Sequence, residues 1–177
     1  MSDWSDLDPT AVPLPHGTLV TTRRAHDGRP QGAVGRVVGV DEAGVTLRFA
    51  DGHSLTLPRA DVVPTKLGEA RYAVRRAEAW AALRPTAIVD TVVGSRAWGL
   101  SEEGSDVDRR GVFVLPTPWT AGLVTPPTEL VSLDGSGTYW ELGKAVRQAL
   151  RADPNTLETL FLPGARALDP MGEQLLA

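Results

Sequence analysis

Residues 92–116, VVGSRAWGLSEEGSDVDRRGVFVLP, place Gly94-Ser95 directly after one apolar run and Asp106-Val107-Asp108 directly before another. The runs TAIVDTVVG and DRRGVFVLP predict two strands that flank this stretch. Because side chains alternate along a strand, we expect the two carboxylates to share one face and Val107 to be buried on the other. Like charges held so close repel each other, so the pair needs a cation or some other compensation.

Each half of the stretch has a chemical interpretation and a plain structural one. Gly94 lets a ligand approach the backbone, and Ser95 either caps the turn or bonds a phosphate oxygen. Two carboxylates at this spacing suit Mg²⁺ or Mn²⁺, although a solvated acidic turn would have the same composition. A phosphate-binding turn next to a metal-ligand pair is what phosphoryl or nucleotidyl transfer requires, and the combination favours that chemistry.

The segment GSRAWGLSEEGSDVDRRGVFV resembles the signature of the DNA-polymerase-β-like nucleotidyltransferase superfamily. Its spelling is closest to the branch that includes an RNA-ligase-associated, RNA-repair family. The segment YWELGKAVRQALRADPNTLETLF is similar to the helical part that follows in that branch, with the Asn and Pro of its Asn-Pro-x-x-Leu-Glu spelling permuted. The resemblance covers residues 86–163 and implies a mixed sheet with flanking helices.

The resemblance assigns the catalytic metals to Asp106 and Asp108, with Mg²⁺ or Mn²⁺ as cofactor. It also implies a third carboxylate, which binds metal and activates the attacking hydroxyl. Counting back from Glu141 of the second segment places the expected third carboxylate near Ser136, which is not acidic. We therefore expect Asp134 to act as the third catalytic carboxylate, with Glu129 as a poorer substitute.

The same resemblance assigns the nucleotide's phosphates to Gly94 and Ser95. Arg96 and Arg110 are further nucleotide-binding candidates, and Arg109, which also follows the carboxylates, could reach a phosphate in place of Arg110. The guanidinium of Arg110 offers forked donors for a phosphate. An equal alternative is that Arg110 pairs with Asp106 or with the acidic pair of residues 102 and 103.

The chain as a whole is predicted to form an α+β protein. Residues 1–15 are predicted to form a flexible lead-in, and residues 16–66 a small SH3-like β-barrel of four or five strands. Residues 67–177 are predicted to form the nucleotidyltransferase core, which begins with a helix at 67–83. Thr138 with Glu141 suggests a capping box that begins a helix carrying Tyr139, and Asp153-Pro154 predicts the start of another.

The tryptophans are expected to be structural. Trp80 and Trp140 fall on helical stripes and read as core residues. Trp98 is expected to pack under its loop.

Composition limits the function classes. The 177 residues carry a net charge of −4 and no cysteine, which argues against a general nucleic-acid-binding surface and against disulfide or thiolate-metal sites. No window resembles a signal peptide or a membrane span, so we expect a cytoplasmic protein.

The sequence therefore predicts a metal-dependent nucleotidyltransferase with an NTP substrate and an acceptor hydroxyl, an RNA end being favoured. A catalytically inactive nucleotide- or RNA-binding protein and a plain interaction protein remain alternatives. Members of this branch usually continue into further helices, so a chain shortened at its C-terminus is expected. A small molecule and a protein hydroxyl remain alternative acceptors.

Overall fold

The computed structural model describes residues 7–102 and 106–177. Residues 1–6 of the predicted lead-in and Glu103 lie outside the described residues. The described chain is α+β, as predicted, with five α-helices and two five-stranded sheets. Its described residues divide into two compact units, one of residues up to 77 with 133–135 and one of residues 78–132 with 136–177.

The first unit contains an antiparallel sheet of order β4-β3-β2-β1-β5. Its strands are β1 (Leu19–Thr22), β2 (Val34–Asp41), β3 (Gly44–Arg48), β4 (Ser54–Leu57) and β5 (Val62–Pro64). Alternation predicted the buried face correctly, because Val45, Leu47 and Phe49 all lie in its core. The strands β4 and β5 stand at opposite edges and do not pair within the described chain, so an SH3-like barrel is not confirmed.

Part of the predicted lead-in packs against this sheet. Val12 and Leu14 are 4% and 5% exposed, and Leu14 belongs to the core of the first unit. Their apolar side chains gain burial, and the neighbouring prolines reduce the entropy that ordering costs. The described end of the lead-in is therefore ordered, which differs from the expectation.

The second unit contains a mixed sheet of order β10-β6-β7-β9-β8. Its strands are β6 (Ala87–Val93), β7 (Asp108–Phe113), β8 (Glu129–Val131), β9 (Gly137–Glu141) and β10 (Arg166–Ala167). Strand β7 is central, antiparallel to β6 and parallel to β9. The helices are α1 (Leu67–Leu83), α2 (Thr117–Thr120), α3 (Leu142–Leu150), α4 (Pro154–Phe161) and α5 (Pro170–Leu176).

The predicted capping box at Thr138 is wrong. Thr138, Tyr139 and Trp140 lie in strand β9, where Tyr139 and Trp140 enter the cores on opposite faces of the sheet. Helix α3 begins only at Leu142, and Glu141 caps it by accepting hydrogen bonds from the backbone N–H groups of residues 143 and 144. A strand with two buried faces has no alternating pattern, so its apolar residues imitate a helical stripe.

Of two other expectations, the structure agrees with one and differs from the other. Asp153 caps α4 through a 2.9 Å hydrogen bond from the Thr156 N–H, with Pro154 in the first turn, as predicted. Val107, in contrast, is 40% exposed rather than buried, because strand β7 begins only at Asp108 and the sheet does not extend under the preceding residues.

Candidate functional site

The turn after β6 lies beside the start of β7. Gly94 opens a 3₁₀ turn with a φ of +72°, a conformation that glycine adopts without strain. Val93 is in register with Asp108 across the two strands. A Cβ on Gly94 would lie 3.4 Å from the Asp108 Oδ2 atom, so the structure brings the predicted phosphate turn and one predicted metal ligand close together.

The other residues of the motif lie along the same edge. Asp106 precedes the strand and is exposed, and its carbonyl oxygen accepts a 3.3 Å hydrogen bond from Arg96 Nε. The Ser95 carbonyl accepts a 2.8 Å hydrogen bond from the Leu100 N–H, which closes the turn. Gly94, Ser95, Arg96, Asp106 and Asp108 are therefore brought to one end of the β6–β7 pair.

Arg110 has a partner that the sequence analysis did not consider. Its Nη1 atom lies 3.0 Å from Oε2 of Glu158 on α4. Among the described residues, neither Asp106 nor Glu102 forms the alternative ion pair with Arg110, and Glu103 lies outside them. The same Glu158 carboxylate also accepts hydrogen bonds from Trp98 Nε1, at 2.9 Å, and from the Gly94 N–H, at 3.4 Å.

The expected position of the third carboxylate is occupied by serine. The backbone N–H of Arg109 donates a 2.7 Å hydrogen bond to the Ser136 carbonyl, and Arg109 is the first residue of β7 in register with β9, opposite Gly137. Ser136 therefore lies beside Asp108, just before the residues at which the parallel strands β7 and β9 begin to pair. A carboxylate there would face the Asp106–Asp108 edge, and this chain does not supply one at that position.

The two candidate substitutes come from strand β8 and from the connection that follows it. Asp134 is an exposed residue of the β8–β9 connection and belongs to the first unit. Burial lowers the pKa of Arg76 in that unit, and the charges of Tyr72 and Asp134 oppose the shift without cancelling it. Glu129 is held by Lys144, whose Nζ atom lies 2.5 Å from its Oε2 atom. Within residues 7–102 and 106–177, no three His, Cys, Asp or Glu side chains cluster closely enough to hold a metal ion. The role of Asp134 stays a prediction.

The residues at the turn still fit a divalent metal bound together with a substrate. Mg²⁺ commonly takes one or two carboxylates, with phosphate oxygens and water completing its coordination. Asp106 and Asp108 are both exposed at the same edge, and Asp108 faces the Gly94 backbone. This donor set is suited to Mg²⁺ or Mn²⁺ held between protein and phosphates.

A buried ionic network lies on the same sheet and was not predicted. The Asp90 carboxylate on β6 accepts hydrogen bonds from Arg109, through both Nε and Nη2, and from the Tyr139 hydroxyl at 2.7 Å. Arg84 adds a charge 3.8 Å away, donates a 2.8 Å hydrogen bond to the Tyr139 hydroxyl and stacks on its ring. Arg109 is the residue after Asp108, so this network anchors the beginning of β7.

The network shifts the pKa values of its members in opposite directions. Burial alone would raise the pKa of Asp90, but hydrogen bonds from Arg109 and Tyr139 and the nearby positive charges outweigh it and hold that pKa below its usual range. Burial, followed by the hydrogen bond to Asp90, raises the pKa of Tyr139 to about 12. At neutral pH the carboxylate is therefore charged and the phenol neutral.

Both missed residues left a signal in the sequence. Asp90 is the single charged residue in the apolar run AIVDTVV, and a lone carboxylate in a buried strand requires a cationic partner. Glu158 is the Glu of the Leu-Glu spelling in the second motif, which the sequence analysis quoted without giving the residue a role. Trp98, expected to be packed, is 62% exposed, with its indole N–H bound by Glu158.

The comparison with known families matches the part of the chain that carries this site. The model of a family described as RNA repair pathway DNA polymerase beta family covers residues 75–176. The chain belongs to this family. The polymerase-β-like family match spans the turn, both aspartates, Ser136 and Glu158, so the resemblance to the RNA-repair-associated nucleotidyltransferase branch is confirmed.

The family match begins within α1 and leaves the first sheet outside. No curated protein and no solved structure matches the chain significantly. Among the described helices, none combines the length and apolar character needed to cross a membrane.

Proposed function

We propose that this polymerase-β-like family member is a metal-dependent nucleotidyltransferase that moves a nucleoside monophosphate from an NTP to an acceptor hydroxyl, an RNA end being favoured. The observation that supports this most is the closeness of the Gly94 turn to the Asp108 carboxylate inside the family-matched segment, where a Cβ on Gly94 would lie 3.4 Å from Oδ2 of Asp108. It joins a backbone that can receive phosphate to a ligand that can hold the metal of a metal–NTP complex.

The proposed reaction forms one bond and breaks one. The acceptor oxygen bonds to the α-phosphorus, and the bond from the α-phosphorus to the bridging oxygen of the β-phosphate breaks, so that pyrophosphate leaves with the electron pair. The hydroxyl proton passes to a carboxylate, for which Asp134 is the proposed acceptor. Gly94, Ser95, Arg96 and Arg110 are proposed to orient the phosphates, and positioning of this kind supplies much of the rate of phosphoryl transfer.

Asp106 and Asp108 are proposed to hold Mg²⁺ or Mn²⁺. The ion would neutralise the charge on the phosphates and on the departing pyrophosphate.

The serine beside Asp108 favours a second candidate function. If no carboxylate completes the site, the chain would bind a metal–nucleotide complex, or RNA, without transferring a nucleotidyl group. This alternative shares the turn and the two aspartates with the first and differs only in the chemical step.

The test is calorimetric titration of each NTP with Mg²⁺ or Mn²⁺ into the wild type and into Asp106→Asn and Asp108→Asn. Glu173→Gln, an exposed change on α5, is the matched control for loss of one negative charge. We expect metal-dependent binding that both aspartate variants lose and the control keeps. Binding that is unchanged in both aspartate variants would contradict the proposal.

A second assay separates transfer from binding. Radiolabelled NTP is incubated with a short RNA bearing a free 3′ hydroxyl, and elongation of the RNA by one nucleotide is measured. Binding without elongation favours the inactive alternative, and elongation that requires Asp106 and Asp108 favours the enzyme. Transfer to another acceptor would retain the activity and reject the RNA end.

A further inference from the structure

Three hydrogen-bond donors of the candidate site converge on one carboxylate. Oε1 of Glu158 accepts from the Gly94 N–H at 3.4 Å and from Trp98 Nε1 at 2.9 Å. Oε2 of the same side chain accepts from Arg110 Nη1 at 3.0 Å. The donors come from the turn after β6 and from β7, whereas Glu158 comes from α4, about fifty positions later in the chain than Arg110.

The three donors have the composition of a phosphate subsite. A backbone N–H freed by a turn, a guanidinium and a neutral ring N–H all donate and none accepts, so the group they fit is an anion with several acceptor oxygens. The Glu158 carboxylate is such an anion, and its side chain is only 20% exposed. Gly94 and Arg110 are residues already proposed to bind the nucleotide.

We propose that Gly94, Trp98 and Arg110 form a phosphate subsite for the NTP, and that Glu158 is an internal anion that occupies this subsite until a phosphate group displaces it. The proposal rests on the proposed function. It adds Trp98 as a hydrogen-bond donor to the phosphate and Glu158 as an anion that competes with the phosphate for the same donors. A carboxylate satisfies the donors in the free protein, because a guanidinium left without a counter-ion in a sheltered position is costly.

Competition of this kind lowers the apparent affinity for the ligand. A phosphate binds only the fraction of molecules in which Glu158 has left the donors, and the measured Kd rises in inverse proportion to that fraction. Removing the negative charge of Glu158 while keeping its shape weakens its hold on Arg110. The Gln side chain still offers an oxygen to Trp98 and Gly94, so the fold of the turn is retained.

The experiment measures the Kd of inorganic tripolyphosphate, with and without Mg²⁺, for the wild type, Glu158→Gln and the control Glu173→Gln. Tripolyphosphate has no base or sugar, so it reports the phosphate subsite alone. We expect Glu158→Gln to bind roughly tenfold more tightly than the wild type, since a charge-assisted contact is removed from the competitor, and the control to match the wild type. Equal or weaker binding by Glu158→Gln overturns the proposal.

A second measurement needs no variant of Glu158. Under the proposal, Trp98 exchanges a carboxylate for a phosphate at its ring N–H. Its fluorescence is obtained as the difference between the wild type and Trp98→Phe, which removes the contribution of the other tryptophans. We expect saturating tripolyphosphate to change that difference. An unchanged difference at saturation overturns the proposal.

Failure of this inference can be told from failure of the proposed function. NTP binding that requires metal and both aspartates, without tighter binding by Glu158→Gln, rejects only the role of Glu158. Tighter binding of tripolyphosphate by Glu158→Gln, together with NTP binding that both aspartate variants retain unchanged, supports the subsite and rejects the metal site.

Discussion

Arg109 donates two hydrogen bonds, through Nε and Nη2, to the buried carboxylate of Asp90. The two residues lie on neighbouring strands, and Arg109 immediately follows the proposed metal ligand Asp108. The pair therefore connects the interior of the second sheet to the edge at which the candidate site is built.

Asp90→Asn is expected to destabilise the protein. The substitution leaves Arg109 and Arg84 without their shared counter-ion beside a buried strand, and loss of one partner from such a pair is costly. Because the Arg109 side chain is 39% exposed, solvent screens part of this cost, and we expect a loss of about 2 kcal/mol. Urea unfolding measures the change in the free energy of unfolding, and Glu173→Gln is expected to stay within about 0.5 kcal/mol of the wild type.

The contribution of Asp90 should also depend on pH. Its pKa is lowered in the folded state, so its stabilisation is fully present above the ordinary aspartate pKa of about 4 and is lost as the pH falls through the lowered value. The difference in unfolding free energy between the wild type and Asp90→Asn should therefore shrink below about pH 4. A difference that stays constant into the acid range would argue against an ionised Asp90.

Tyr139 is expected to ionise far above the usual tyrosine range. Burial and the Asp90 carboxylate raise its pKa to about 12, so its stabilising contribution is complete below pH values near 10 and is lost as the pH rises towards the folded value. The chain has two tyrosines, and Tyr72→Phe leaves Tyr139 as the only tyrosine. Tyrosinate absorbance should then appear near pH 12 in the folded variant and near pH 10 in urea.

Gly94→Ala should impair nucleotide binding beyond its effect on stability. Gly94 and Gly99 both have positive φ angles, +72° and +68°, so alanine at either position costs about 1–2 kcal/mol of backbone strain. Only at Gly94 does the new Cβ reach another group, the Asp108 carboxylate at 3.4 Å. We expect similar unfolding free energies for the two variants and weaker metal–NTP binding for Gly94→Ala alone, measured by calorimetry. Equal affinities would show that the Gly94–Asp108 contact does not serve binding.

Gly111→Ala should disrupt the second sheet. A Cβ there would lie 2.2 Å from the Val89 carbonyl oxygen and 2.4 Å from the Tyr139 ring, and a strand carbonyl cannot move away without breaking its ladder. We expect a loss of about 3 kcal/mol or more in the free energy of unfolding. Gly164→Ala is the control, because nothing lies within 4 Å of a Cβ at that position, and its unfolding should match that of the wild type.

Local patterns predicted the parts of the fold that depend on neighbouring residues. The helix at 67–83 was predicted with the bounds that α1 has, and Asp153-Pro154 begins α4 as its capping chemistry requires. Strand β9 was mistaken for a helix because it is buried on both faces. Helix α1 packs in the core on the Tyr139 face and helices α3 to α5 in the core on the Trp140 face, and a local window contains no such packing.

The sequence by itself determined the family and the residues of the turn and of the aspartate pair, because these depend on residue identity and short spacing. Only the tertiary structure showed that Glu158 binds Gly94, Trp98 and Arg110, and that Asp90 binds Arg109 and Tyr139. Strand pairing and helix packing bring these residues together across tens of positions. Spacing along the chain carries no trace of such contacts, since their partners are selected by charge and hydrogen bonding in the folded protein.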